Sequence, residues 1–99
     1  MTEEIWLLKI YGVVQGVCYR SFVCGFVHGH TSSISGYVKN LPDGTVEVLA
    51  KGEVHQLEDL ISACRKGPRD SRVDKIDLNK YTSVKDYPGI IPKYFDIDY

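Results

Sequence analysis

Between Tyr11 and Arg20 the chain reads Tyr11-Gly12-Val13-Val14-Gln15-Gly16-Val17-Cys18-Tyr19-Arg20, and these residue types can build an anion site. The segment falls between a strand pattern and a helix pattern. There, successive backbone N–H groups can converge on one concavity while the helix dipole favours negative charge. Gly16 permits a ligand to approach the backbone closely, and Arg20 carries a planar fork of donors matched to phosphate or carboxylate. Neither the Lys and spacing of a Walker loop nor a G-x-G-x-x-G fingerprint is present. On residue types alone two readings stand: a phosphate cradle, or an ordinary tight turn followed by a solvated arginine.

Other chemistry is poorly supported. A thiolate phosphatase needs an arginine six positions after its cysteine, but Cys18, Cys24 and Cys64 are followed at that distance by Cys24, His30 and Asp70. His28 and His30 form an HxH pair at a helix end and His55 stands alone, too few ligands for a closed metal site. They read as surface histidines, and no metal is expected. Lys66, Arg69 and Arg72 cluster around Gly67-Pro68 and read as a solvated loop, or as a local field that guides an anion. Tyr81, Tyr87, Tyr94 and Tyr99 are expected to pack in the core or at its rim.

The elements that must position this loop follow from periodicity. Residues 5–13 are rich in β-branched and aromatic types and alternate as a strand. Phe22, Val23, Phe26 and Val27 share one helical face, with Ser21 as the expected cap and Gly25 and Gly29 as weak points. Residues 36–40 and 45–50 form a hairpin around Leu41-Pro42-Asp43-Gly44, where Pro presets its own φ and Gly supplies a positive one. Val54, Leu57, Leu60, Ile61 and Cys64 mark a second helix that Gly67-Pro68 ends. Val73, Ile76 and Leu78 suggest a fourth strand. A turn-rich stretch leads to a short strand at 94–99, with Phe95, Ile97 and Tyr99 on one face. The order predicts a ferredoxin-like α+β sandwich, a split βαβ arrangement (βαββαβ plus a short last strand). Its antiparallel sheet carries both helices on one face and meets solvent on the other.

Composition narrows the partners. The 99 residues suit one domain over 1–99, and 43% hydrophobic with 25% charged residues is ordinary for a soluble fold. Twelve basic against thirteen acidic residues leave a net charge of −1, unlike a chain that lives on nucleic acid. Residues 45–51 contain no aromatic, so the base-stacking pattern of an RNA-binding sheet is missing. Three cysteines without a C-x-x-C pair argue for reduced thiols and against a disulfide scaffold. Glu3, Glu4 and Lys9 flank or interrupt the first apolar stretch, unlike a signal peptide, and no run approaches the ~20 apolar residues of a membrane span. A cytoplasmic monomer, without nucleic-acid or membrane partners, is expected.

The segments Val14-Gln15-Gly16-Val17-Cys18-Tyr19-Arg20, Gly36-Tyr37-Val38-Lys39-Asn40 and Asp43-Gly44-Thr45-Val46-Glu47-Val48 together resemble the acylphosphatase family. Its pattern is a VQGVxFR loop followed by a GxVxN…DGxVE hairpin. The resemblance covers nearly the whole chain, including Gly67-Pro68 and the closing Phe95-Asp96-Ile97-Asp98-Tyr99. It implies a hydrolase that splits acyl phosphates into carboxylate and inorganic phosphate, with neither metal nor cofactor. By match to the loop motif, Arg20 would grip the phosphoryl oxygens together with the backbone N–H groups of Gln15, Gly16, Val17, Cys18 and Tyr19. By match to the hairpin motif, Asn40 would orient the attacking water. Tyr19 stands where the family usually has Phe and brings a hydroxyl that needs a partner. The stretch Gly29-His30-Thr31-Ser32-Ser33-Ile34-Ser35 is longer and more polar than the family's usual connection, and could shift Asn40 relative to Arg20. The alternatives are a non-catalytic anion-binding domain and a relative directed at carbamoyl phosphate.

Overall fold

The computed structural model describes residues 3–30 and 33–99. Alternating side chains build its central strand, β1 (Glu3–Val13), whose Trp6, Leu8 and Ile10 enter the core. Then come α1 (Tyr19–His30), β2 (Ser35–Asn40), β3 (Val46–Glu53), α2 (Val54–Lys66), β4 (Arg72–Tyr81) and the two-residue β5 (Asp96–Ile97). The sheet runs β4-β1-β3-β2-β5. The pairings of β1 with β3 and β4, and of β2 with β3, are antiparallel as expected. β5 adds to β2 in parallel, so the sheet is mixed rather than purely antiparallel.

Register explains the core. Leu8 faces Val48 on one neighbour and Leu78 on the other, and Ile10 faces Val46 and Ile76. Trp6 lies opposite Ala50, a large ring beside a small side chain. Val23 and Val27 of α1 and Leu57, Leu60 and Cys64 of α2 close this layer. β1 carries an irregularity between Tyr11 and Gly12, where a Cβ on Gly12 would collide with the Arg72 carbonyl. Only glycine lets the strand stay paired while it bends towards the next loop.

Four local expectations need correction. The face of the sheet opposite the helices does not simply meet solvent: Ile5 (1% exposed) and Leu49 (0%) are buried there, outside the helix-side core. Tyr87, from the turn-rich segment, packs edge-on to Tyr81 at 5.2 Å and adjoins Tyr37, so the long connection covers part of that face. Ser21 is not the cap of α1. The helix starts at Tyr19, and the Cys18 carbonyl already accepts the Phe22 N–H at 3.0 Å. The last strand is shorter than 94–99 and does not align Phe95, Ile97 and Tyr99: Phe95 is buried, whereas Tyr99 is 94% exposed. Tyr94 is exposed as well, so neither it nor Tyr99 belongs to the core. Of the long connection, Gly29 and His30 are helical and Ser35 is already strand, while Thr31 and Ser32 lie outside the described residues.

The extra hydroxyl on Tyr19 has a partner. It donates to the Cys64 carbonyl at 2.6 Å, in the last turn of α2, where no intrahelical N–H is available. This bond joins the first residue of α1 to the end of α2. Burial and this contact raise the phenol above its ordinary 10.0, so its stabilisation is complete below about pH 10 and is lost as pH rises further. Tyr19→Phe should lower the unfolding free energy by about 1–3 kcal/mol in urea titration, because the Cys64 carbonyl is left unsatisfied. The same variant should lose less stability than the parent between pH 10 and 12; equal losses would remove Tyr19 from that role. Burial pushes the Cys64 thiol up to about 12, and Cys18 is exposed. Iodoacetamide at pH 8 should therefore modify Cys18 in the folded protein and leave Cys64 untouched, as read by mass spectrometry.

Candidate functional site

The loop between β1 and α1 is an unusual piece of backbone. Gly16 has φ +74° and Cys18 φ +60°, both in the left-handed region. A Cβ on Gly16 would meet no atom within 4 Å, so glycine is required there by its φ and by whatever approaches from outside. At Cys18 the same conformation costs a residue with a side chain about 1–3 kcal/mol. Alternation between left- and right-handed residues turns successive N–H groups towards one side, the geometry of an anion nest.

No backbone N–H from residues 15–18 reaches an acceptor among the described residues. Helix α1 starts immediately after them, and the N–H groups of Tyr19, Arg20 and Ser21 in its first turn are likewise without protein acceptors. The donors thus run unbroken over 15–21. The match to the loop motif names only those of Gln15 to Tyr19. One observable signal was the spacing itself: Ser21 sits three residues beyond Cys18, at the last orphan donor of a helix capped there.

Arg20 and Asn40, twenty positions apart in sequence, share a cavity of about 320 Å³. Gly16, Cys18 and Tyr19 line it too, with Val14 and Ser21, neither of which the sequence assigns to the site. Gln15 and Val17 do not line it. Val17 packs against the core instead. Asn40 sits at the end of β2, paired with Val46, and its Oδ1 is buried without a hydrogen-bond partner among the described residues. An unpaired buried amide oxygen is costly, and it finds compensation only if something in the cavity donates to it.

Gln15 has a different role from the one its backbone suggested. Its side-chain amide donates to the Leu41 carbonyl at 2.8 Å and to the Thr45 carbonyl at 2.9 Å. Both amide hydrogens are thereby spent on the β2–β3 turn, directly beyond Asn40. The turn is locked from within as well: Leu41 N–H donates to Thr45 O (2.8 Å), and Asp43 accepts from the Thr45 N–H (3.0 Å) and from its hydroxyl. Those bonds, then Lys9 at 2.9 Å, hold the Asp43 carboxyl well below the usual carboxylate range. The loop that leads into Arg20 at the start of α1 is therefore clamped to the hairpin that carries Asn40.

The remaining candidates lie elsewhere. His28 Nε2 is 2.8 Å from the Phe95 carbonyl, whereas His30 stacks on Phe26 with ring centroids 4.2 Å apart. They face different neighbours, and among the described residues no three His, Cys, Asp or Glu side chains gather around a common point. Lys66, Arg69 and Arg72 are absent from the cavity wall, and Arg72 is engaged by Asp74 at 2.8 Å. No described helix is long and apolar enough to cross a membrane.

A loop of unpaired donors, an arginine and a buried amide thus meet at a single cavity. The family model described as acylphosphatase matches residues 6–97. An acylphosphatase of Caldivirga maquilingensis is 36% identical over 86 residues, which cover 86% of this chain and 88% of that one. One of Chlorobaculum tepidum is 41% identical over 80 residues, covering 81% and 85%. Among solved structures, the acylphosphatase from Bacillus subtilis superposes with a TM-score of 0.84 at 30% identity, covering 97% of this chain and 99% of that one. Matched in sequence over nearly all its length, and in backbone to a solved relative, this chain belongs to the acylphosphatase family.

Proposed function

We propose that residues 1–99 act as one acylphosphatase unit that hydrolyses the carboxyl–phosphate bond of acyl phosphates in the cytoplasm, as a monomer and without a metal ion. The observation that carries this reading is that Asn40, whose buried Oδ1 has no partner among the described residues, lines the same cavity as Arg20 and the unpaired backbone donors of Gly16, Cys18, Tyr19, Arg20 and Ser21. In the reaction, Arg20 and these N–H groups bind the phosphoryl oxygens. Charge on those oxygens is spread in the loose transition state, so preorganised donors provide most of the catalysis. Asn40 Oδ1 accepts one hydrogen of a water and holds its oxygen in line with the phosphorus. As a neutral group, it does so without repelling a dianionic substrate. The water oxygen bonds to phosphorus as the P–O bond to the acyl group breaks, and the bonding pair leaves with the carboxylate. A non-bridging phosphoryl oxygen takes the water's proton. The products are RCOO⁻ and H₂PO₄⁻ from RC(O)–O–PO₃²⁻ and water, and no general acid is needed for so weakly basic a leaving group.

Benzoyl phosphate hydrolysis followed by absorbance in excess EDTA tests the whole reading. Saturable turnover is expected; folded protein with no turnover would favour a binding-only domain. Arg20→Ala should reduce kcat by about 10²–10³-fold and abolish inhibition by inorganic phosphate. Arg20→Lys should recover little, because an ammonium cannot reproduce the planar fork. Near-parental activity in either variant removes Arg20 from the phosphate site. Asn40→Ala should lower kcat strongly while the inhibition constant for phosphate stays nearly unchanged, since the residue serves water and not the anion. If both quantities worsen together, Asn40 is not the water's holder.

A further inference from the structure

Arg20 differs from several other cations of the molecule. Lys9 is paired with Asp43 at 2.9 Å, Arg72 with Asp74 at 2.8 Å, and Lys39 and Lys75 lie 3.9 Å from Glu47 and Asp77. Among the described residues, Arg20 has neither a carboxylate partner nor a hydrogen bond from its guanidinium. Its one recorded contact is with a ring: the guanidinium carbon lies 5.0 Å from the centroid of Tyr99. That ring is 94% exposed, so the hydrophobic effect does not hold it in place.

The chain reaches this position through two tethers. His28, a little over two turns further along α1 than Arg20, makes the 2.8 Å contact to the Phe95 carbonyl just before β5. Asp98 N–H then donates to the Val38 carbonyl of β2 at 2.9 Å. Residues 95–98 are thus bound to the helix that carries Arg20 and to the strand that carries Asn40, and Tyr99 follows directly.

We propose that Tyr99 is a positioning residue for the phosphate-binding arginine, an inference that rests on the phosphate site described above. A ring can hold a guanidinium through its face and leave every N–H at its edge unused. A carboxylate would orient the same group by consuming those donors and neutralising the charge. The stacking therefore restricts Arg20 before the ligand arrives, reduces the side-chain entropy lost on binding, and keeps its fork available. The hydroxyl of Tyr99 plays no part in this role.

The test compares Tyr99→Leu with Tyr99→Phe. Titration calorimetry with inorganic phosphate reads the site without requiring turnover. Leu should weaken phosphate binding about three- to thirtyfold, the range expected for an interaction of this kind, and Phe should stay within about twofold of the parent. The thermal midpoint should not move in either, because the side chain is exposed. NMR supplies the signature of the contact itself: the Arg20 δ-methylene protons should be shifted upfield by the ring in the parent and in Phe, and lose that shift in Leu. Unchanged phosphate binding in Leu, or a Phe variant as impaired as Leu, overturns the role of Tyr99 and leaves the phosphate site standing. Parent protein that binds no phosphate overturns the site, and the role of Tyr99 with it.

Discussion

A run of unpaired backbone donors is the constraint around which this molecule is arranged. Seven consecutive residues, 15–21, keep N–H groups without acceptors among the described residues, and two of them hold left-handed backbone angles. Left to itself such a loop would relax into a turn that satisfies its own donors. It is prevented from doing so at both ends. Val14 is buried on one side, and on the other Tyr19 is buried and hydrogen-bonded to the Cys64 carbonyl of α2. Between them, the Gln15 side chain reaches to the β2–β3 turn. Stability of the two-helix layer is thereby converted into an open, preorganised concavity, which is the form in which donors act on developing charge without further reorganisation.

The same division of labour governs charge. The ion pairs of Lys9, Arg72 and Lys75 are exposed and that of Lys39 is half-buried at 3.9 Å, and such surface pairs contribute little stability. Their importance here lies in what they leave alone. With nearly balanced charge overall, −1 from twelve bases and thirteen acids, a free guanidinium at the cavity stands out as a local feature and not as part of a basic surface. No Asp or Glu lines that cavity among the described residues, so the site can accept a dianion without first displacing an internal partner.

Coupling between the two halves of the site runs through the sheet. β1 delivers the loop, and its neighbour β3 pairs in turn with β2, which ends at Asn40. The Thr45 carbonyl receives both the Leu41 N–H and the Gln15 amide, so one atom joins the hairpin turn to the loop. Under the proposed function, a displacement of about 1 Å at such a position can cost on the order of 10²-fold in rate, so these bonds count for more than their modest energies.

Periodicity and turn chemistry in the sequence alone determined the two helices, the hairpin at Pro42-Asp43-Gly44 and the order of the strands, because each depends on neighbours within a few residues. Residue types marked the glycine loop and Arg20 as a possible anion site, and the resemblance to the acylphosphatase family added Asn40. Only the tertiary structure decided that the first helix opens at Tyr19, that Ile5 and Leu49 are buried on the second face, and that Tyr99 leaves the core pattern for Arg20. The clamps belong to the same class: Gln15 bonds residues 26 and 30 positions away, and Tyr19 bonds one 45 positions away. No local period encodes such partners. An amide or a phenol has the same propensity whether it caps a distant carbonyl or faces water, and only the packed sheet and helices bring the acceptor within reach.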